Sequence, residues 1–177
     1  MTLEIKKVYR WQSENEKLKN LLKFIENSKL SVISSRLILK TGINIENRYV
    51  INIGFCNNIK KGFPITDGLN LIGKIVYVSK KKSIVQLIND VNFRVPIIIG
   101  NNKAIAQGSD SKNEMKINFL DRSVQIQKGD LVLTSGEGQL VPYGLLLGQI
   151  IFKNQVPYIR INHLIEQSIV SIINSNK

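Results

Sequence analysis

Apolar residues at the start of the chain recur at alternating intervals of three and four. Val8, Trp11, Asn15, Leu18, Leu22 and Ile25 fall on this seam. That is the a/d spacing of a coiled coil, narrower than the stripe of a helix packed on its own domain. Charged or polar residues lie between: Glu14, Glu16, Lys17, Lys19 and Lys23. Asn15 is the polar member of the seam, where Asn lowers stability but fixes register and the number of chains. Residues 1–28 are therefore expected to form a coiled-coil helix that pairs two copies, closed by Asn27-Ser28. Short coiled coils are marginal alone, so the seam is expected to continue upstream.

From Val32 the period changes. Short runs rich in β-branched residues alternate with turn residues, the pattern of a β-rich body. Strands are expected at Ser31–Leu39, Tyr49–Ile53, Phe63–Thr66, Leu69–Val78, Ile84–Ile88, Phe93–Ile99, Ala104–Gly108, Lys116–Leu120 and Tyr158–Ile161. A further strand, glycine turn and strand run from Gly129 to Gly148. Asp67-Gly68 is the strongest hairpin signal. Gly73, inside a strand, suggests a bulge or a sharp bend.

The chain echoes itself. Ile59-Lys60-Lys61-Gly62 matches Ile126-Gln127-Lys128-Gly129, and Gly73-Lys74-Ile75 matches Gly148-Gln149-Ile150. Thr66-Asp67-Gly68 resembles Thr134-Ser135-Gly136, where the second copy carries a longer insert, Glu137–Leu147. Two copies are too few for a solenoid. They fit two related small barrels, with Gly62, Gly68, Gly73, Gly129, Gly136, Gly144 and Gly148 as structural turn glycines. The first barrel is expected over residues 29–110 and the second over 111–177, joined near residues 100–115.

The net charge of +12 adds attraction to anionic surfaces. The lysines are dispersed, and the densest run, Lys80-Lys81-Lys82, sits between serines at an expected hairpin tip. No apolar run reaches the length of about 18 residues that would span a bilayer, and no signal peptide is visible. The sequence as it stands is expected to be soluble, or the soluble part of something longer.

Candidate chemistry is sparse. Cys56 is the only cysteine and His163 the only histidine, which removes disulfides, zinc clusters and multi-histidine metal sites. Ser135 invites a hydrolase reading, with Cys56 as the alternative nucleophile, but His163 is the only possible histidine base and no oxyanion-type glycine motif surrounds Ser135. Gly136-Glu137-Gly138 carries no Gly-Lys-Ser/Thr, so it is no phosphate loop. Glu14 and Glu16 are expected to be solvated, and Asp121 and Asp130 are single acids near turns. A nucleic-acid face would stack bases on Tyr77, with Lys74 and Lys80, or on Phe93, with Arg94. Simple alternation instead puts Phe93 in a core and Arg94 outside. No catalytic, cofactor or metal site is expected.

The second copy, with Gly129, Asp130, Thr134, Ser135, Gly136, Pro142, Gly144 and Gly148, resembles the signature of the rod shape-determining protein MreC family. The likeness extends to Lys61-Gly62 through Gly73, to Asn89-Asp90 with Phe93 and Val95-Pro96, and to the helix at Glu14–Leu18. Val141 and Tyr143 depart from the pattern, which often has Phe and Lys there. The resemblance implies a mainly β fold: a coiled-coil helix followed by two small six-stranded β-barrels, arranged as in the chymotrypsin class without a triad. It implies a non-enzymatic scaffold of the peptidoglycan-synthesising elongation complex, on the periplasmic side of the inner membrane. An N-terminal helix absent from this chain would anchor it. It implies a homodimer or filament, and partners MreD, MreB and a penicillin-binding transpeptidase. No nucleic acid, small-molecule substrate or cofactor is implied. Dimerisation would fall to Val8, Trp11, Asn15, Leu18, Leu22 and Ile25. Leu140, Val141, Tyr143 and Leu145, in the long insert, are a possible partner surface. The alternative reading is a basic nucleic-acid-binding barrel module.

Overall fold

The computed structural model describes residues 3–28, 30–40, 48–138, 140–161 and 169–174. One helix, α1 (Leu3–Ser28), precedes twelve strands. The first five strands are β1 (Ser31–Lys40), β2 (Arg48–Ile51), β3 (Pro64–Asp67), β4 (Asn70–Val78) and β5 (Ser83–Leu87). Next come β6 (Arg94–Ile99), β7 (Asn102–Gly108), β8 (Glu114–Asn118) and β9 (Leu131–Thr134). The last three are β10 (Leu146–Lys153), β11 (Val156–Ile161) and β12 (Ile169–Asn174). Burial alternates along them as the pleat requires: Val95, Ile97 and Ile99 of β6 point inward while Arg94 is exposed.

Strand pairing closes on itself. β8, β7, β6, β9, β10 and β11 pair in that order, and β11 returns to β8, giving a closed six-stranded barrel. The remaining strands pair in the order β4, β3, β12, β1, β2, β5, with β4 also pairing β5. Each set has its own apolar core. One gathers Phe93, Val95, Ile97, Met115, Val132, Leu145, Ile150 and Ile159. The other gathers Ile51, Phe63, Ile65, Ile75, Val85 and Ile172. A short parallel contact, Leu146 beside Asn70, joins the two sets.

The division expected at residue 110 cuts across this pairing. β6 and β7 belong with β8–β11. β12 returns to the earlier strands, pairing β1 and β3. β12 has no counterpart among the strands expected from the sequence. The physical reason is that its Ile and Val residues find their ladder far back along the chain, at Ser171 opposite Thr66.

The doubled unit is real in its geometry. Gly62 (φ 95°) donates its N–H to Ile75 O at 2.7 Å, and Ile75 N–H returns to Phe63 O at 2.9 Å. Gly129 (φ 94°) donates to Ile150 O at 2.9 Å, and Ile150 N–H returns to Asp130 O at 2.9 Å. The register corrects the sequence match by one residue. Ile65 faces Gly73 in the first copy, and Val132, not Leu133, faces Gly148 in the second. Thr66 therefore corresponds to Leu133. The extra residue of the bulge is Ile72 in one copy and Leu147 in the other, each just before the glycine. At Gly73 and Gly148 a Cβ would run into the carbonyls of Gln86 and Arg160 on the neighbouring strand. These two glycines mark close backbone approach.

Candidate functional site

The helix carries the first candidate surface. Val8, Trp11, Leu18 and Leu22 are all more than half exposed, Trp11 reaching 73%. Asn15 is exposed with them. Ile25 differs: it is half-buried and packs, with Phe24 and Leu30, against the core that contains Phe93 and Leu145. The seam thus splits. Its last member docks the helix onto the chain's own body, and the others lie open. An apolar row of this kind on a soluble face marks an interaction site more often than chance exposure does.

The long loop between β9 and β10 is the second candidate. Thr134 holds it shut. Its Oγ1 donates to Pro142 O at 2.6 Å and accepts the Leu145 N–H at 2.9 Å. Its backbone N–H bonds Leu145 O at 2.8 Å, and its carbonyl accepts Gly144 N–H at 3.0 Å. Gly136 and Gly144 adopt φ of 75° and 94°, a region that favours glycine. Lys103 of β7 pairs with Glu137.

Of the four contact residues expected there, Leu145 is fully buried, a correction that follows from the Thr134 staple. Val141 packs against the Phe93 core and Leu140 against the Phe63 core. Only Tyr143 is exposed, at 59%. The loop therefore spans both cores more than it offers a surface. Leu140 sits directly over Gly62, where a Cβ would collide with its Cδ1. On the other side, a Cβ at Gly144 would lie 3.4 Å from Phe24 Cε2 of α1. Helix end, loop and both cores meet here.

The two candidate nucleophiles both sit on turns. Ser135 N–H bonds Pro96 O at 3.1 Å, and its Oγ accepts Glu137 N–H at 3.4 Å, a local turn bond. Cys56 is exposed on the 3-10 turn Phe55–Asn57. His163 lies outside the described residues. Among the described residues, no group of three metal-ligating side chains occurs. Asp121 is exposed, and the backbone and hydroxyl of Ser123 hold its carboxyl below the usual range. Asp130 accepts Gln127 N–H at 2.7 Å, again within a turn.

The nucleic-acid pattern loses one of its two aromatics, because Phe93 is buried. Tyr77 remains exposed. The Lys74 ammonium is engaged: it lies 4.9 Å from the Phe93 ring centroid and donates to Arg94 O at 3.1 Å. Burial, then the charges of Arg94 and Lys61, hold its pKa below that of an ordinary lysine. The Lys80–Lys82 tip is a closed turn in which Ser79 N–H bonds Lys82 O at 2.8 Å.

Sequence reasoning missed one exposed residue with no warning signal. Phe119 is 84% exposed and sits at φ 60°, a conformation rarely taken by a bulky side chain.

Comparison with known proteins gives a consistent result. The family model "Rod shape-determining protein MreC, barrel core" matches residues 37–165. The "Cell shape-determining protein MreC" of Cereibacter sphaeroides is 28% identical over 141 residues, 78% of this chain and 47% of that protein. The chain thus spans under half of that relative. Among solved structures, the major periplasmic domain from the cell shape-determining filament MreC aligns with TM-score 0.72 at 15% identity, covering 83% of this chain and 99% of that one. A chain of the complex between Penicillin-Binding Protein (PBP2) and MreC from Helicobacter pylori aligns with TM-score 0.66 at 16% identity, covering 84% and 99%. At these identities the structural likeness shows the fold.

Proposed function

The chain belongs to the rod shape-determining protein MreC family, and from that premise we propose that it is a non-enzymatic scaffold of the cell-elongation machinery. It maintains rod shape by self-association and by holding a penicillin-binding transpeptidase, MreD and MreB in one assembly. The observation that carries this reading is the barrel-core match over residues 37–165, on a fold whose Ser135, Asp121 and Asp130 are engaged in local turns and whose Cys56 lies exposed. The PBP2 complex of the Helicobacter relative supports the transpeptidase as partner.

Self-association runs through the open part of the α1 seam, with Val8, Trp11, Leu18 and Leu22 as apolar contacts and Asn15 setting register. The two closed strand sets act as paired barrels in a chymotrypsin-like arrangement without a triad. The assembly works on the periplasmic side of the inner membrane, a location supported by the periplasmic relative. An anchoring helix upstream of the chain completes it.

The test is depletion in the rod-shaped host. Cells lacking the protein should round up and swell, and a copy carrying both Ser135→Ala and Cys56→Ala should restore the rod. Loss of rescue by that copy would point to chemistry and against a scaffold.

A further inference from the structure

Three cations lie near the seam between the two strand sets, and none of them forms an ion pair among the described residues. Lys74 lies on β4, opposite Pro64 of β3 and Gln86 of β5. Its ammonium crosses to the other set, where it meets Arg94 O at 3.1 Å and the Phe93 ring face at 4.9 Å. Arg94 itself begins β6, with its side chain exposed. Lys61 precedes Gly62, whose N–H is bonded to Ile75 O at 2.7 Å, so Lys61 is tethered one residue from the stretch that carries Lys74. Both Arg94 and Lys61 act electrostatically on Lys74.

Among the described residues, none of the three takes part in an ion pair. The partners of Lys74 are a neutral carbonyl and a ring face. Asp90, which precedes β6 in the sequence, is engaged elsewhere: it accepts Asn92 N–H at 2.8 Å and lies 4.0 Å from Arg48 Nε. A half-buried ammonium beside two further cations is unfavourable by both desolvation and like-charge repulsion. Such a grouping of cations from separate segments is what a bound anion relieves. The residue types suit an anion with several oxygens, because guanidinium offers a planar fork and lysine a point charge.

We propose that Lys61, Lys74 and Arg94 form a binding site for an oxyanion, a phosphate or a carboxylate, at the junction of the two strand sets. No step of the scaffold reading requires this site. A bound anion would tie the turn before β3, β4 and β6 together and so stiffen the junction.

The experiment is an NMR titration of the 177-residue chain with sodium phosphate and, separately, sodium glutarate, each against sodium chloride at matched ionic strength. Saturable amide shifts confined to residues 61–63, 74–75 and 93–95 are expected with at least one of the two anions. Phosphate alone would identify a phosphate-bearing ligand, and glutarate alone a carboxylate-bearing one. Both support the site. The double variant Lys61→Gln with Arg94→Gln changes exposed side chains only, and should weaken the binding about tenfold. The proposal is overturned if neither anion exceeds chloride, if shifts spread equally to Lys80–Lys82, or if the double variant binds as well as the native chain.

Discussion

Leu140 covers Gly62. The leucine comes from the β9–β10 loop of one strand set and the glycine from the turn that opens β3 in the other, so this contact bridges the two sets. Gly62 also holds φ 95°. Gly62→Ala should therefore lose about 2–3 kcal/mol, part backbone strain and part displacement of Leu140. Leu140→Ala should remove the collision and leave the strain. A double-mutant cycle by urea denaturation should show that the combined loss is smaller than the sum. Strict additivity would mean that the two residues do not share a contact.

Two buried threonines make opposite predictions. Thr134 Oγ1 makes two hydrogen bonds that close the long loop. Thr66 is equally buried, but its Oγ1 finds no partner among the described residues. Thr134→Val should cost about 1–3 kcal/mol, because Leu145 N–H and Pro142 O lose their partner inside the protein. Thr66→Val should be neutral or stabilising, since it removes an unmatched hydroxyl. Equal losses in thermal melts of the two variants would contradict the hydrogen-bond assignment.

Lys74 links pH to stability. Its pKa in the folded chain is depressed below the model-peptide value of 10.5 by burial and by Arg94 and Lys61. The unfolded chain thus holds this proton more tightly, and stability should rise as pH climbs from the lowered folded pKa toward 10.5. Below that window the charged ammonium penalises the fold in full. Lys74→Met should flatten the rise that approaches pH 10.5 from below. An unchanged slope in denaturation midpoints would remove Lys74 as its source.

Much of this fold was legible in local pattern. The heptad interval located α1, and the Asp67-Gly68 signal located the β3–β4 hairpin, whose two-residue loop is Gly68-Leu69 with Gly68 at φ 59°. The matched Gly62 and Gly129 proved equivalent down to their hydrogen bonds. What escaped is what local pattern does not encode. β12 closes a ladder with strands far upstream, and nothing near Ile169 names them. Leu145, Leu146 and Leu147 form a continuous apolar run, so period gives no clue that Leu145 is buried and Leu146 only partly so. The two copies are one residue out of step at Thr-x-Gly, because the ladder is set by Gly73 and Gly148 and not by the threonines. Phe119 at positive φ carries no sequence mark at all.

The open helix seam makes a prediction about mass. Leu18→Glu with Leu22→Glu should convert a dimer to a monomer in light scattering. Because both side chains are exposed on the single chain, the β body should keep its melting temperature. A dimer that persists in the double variant would place self-association elsewhere.

The central claim is that this chain acts by holding partners. Its most direct test is the affinity of the 177-residue chain for the periplasmic part of the elongation penicillin-binding transpeptidase from the same cell, read by biolayer interferometry. Saturable binding is predicted, unchanged in the Ser135→Ala, Cys56→Ala double variant. Failure of the two proteins to associate saturably, with both shown to be folded, would contradict the scaffold account.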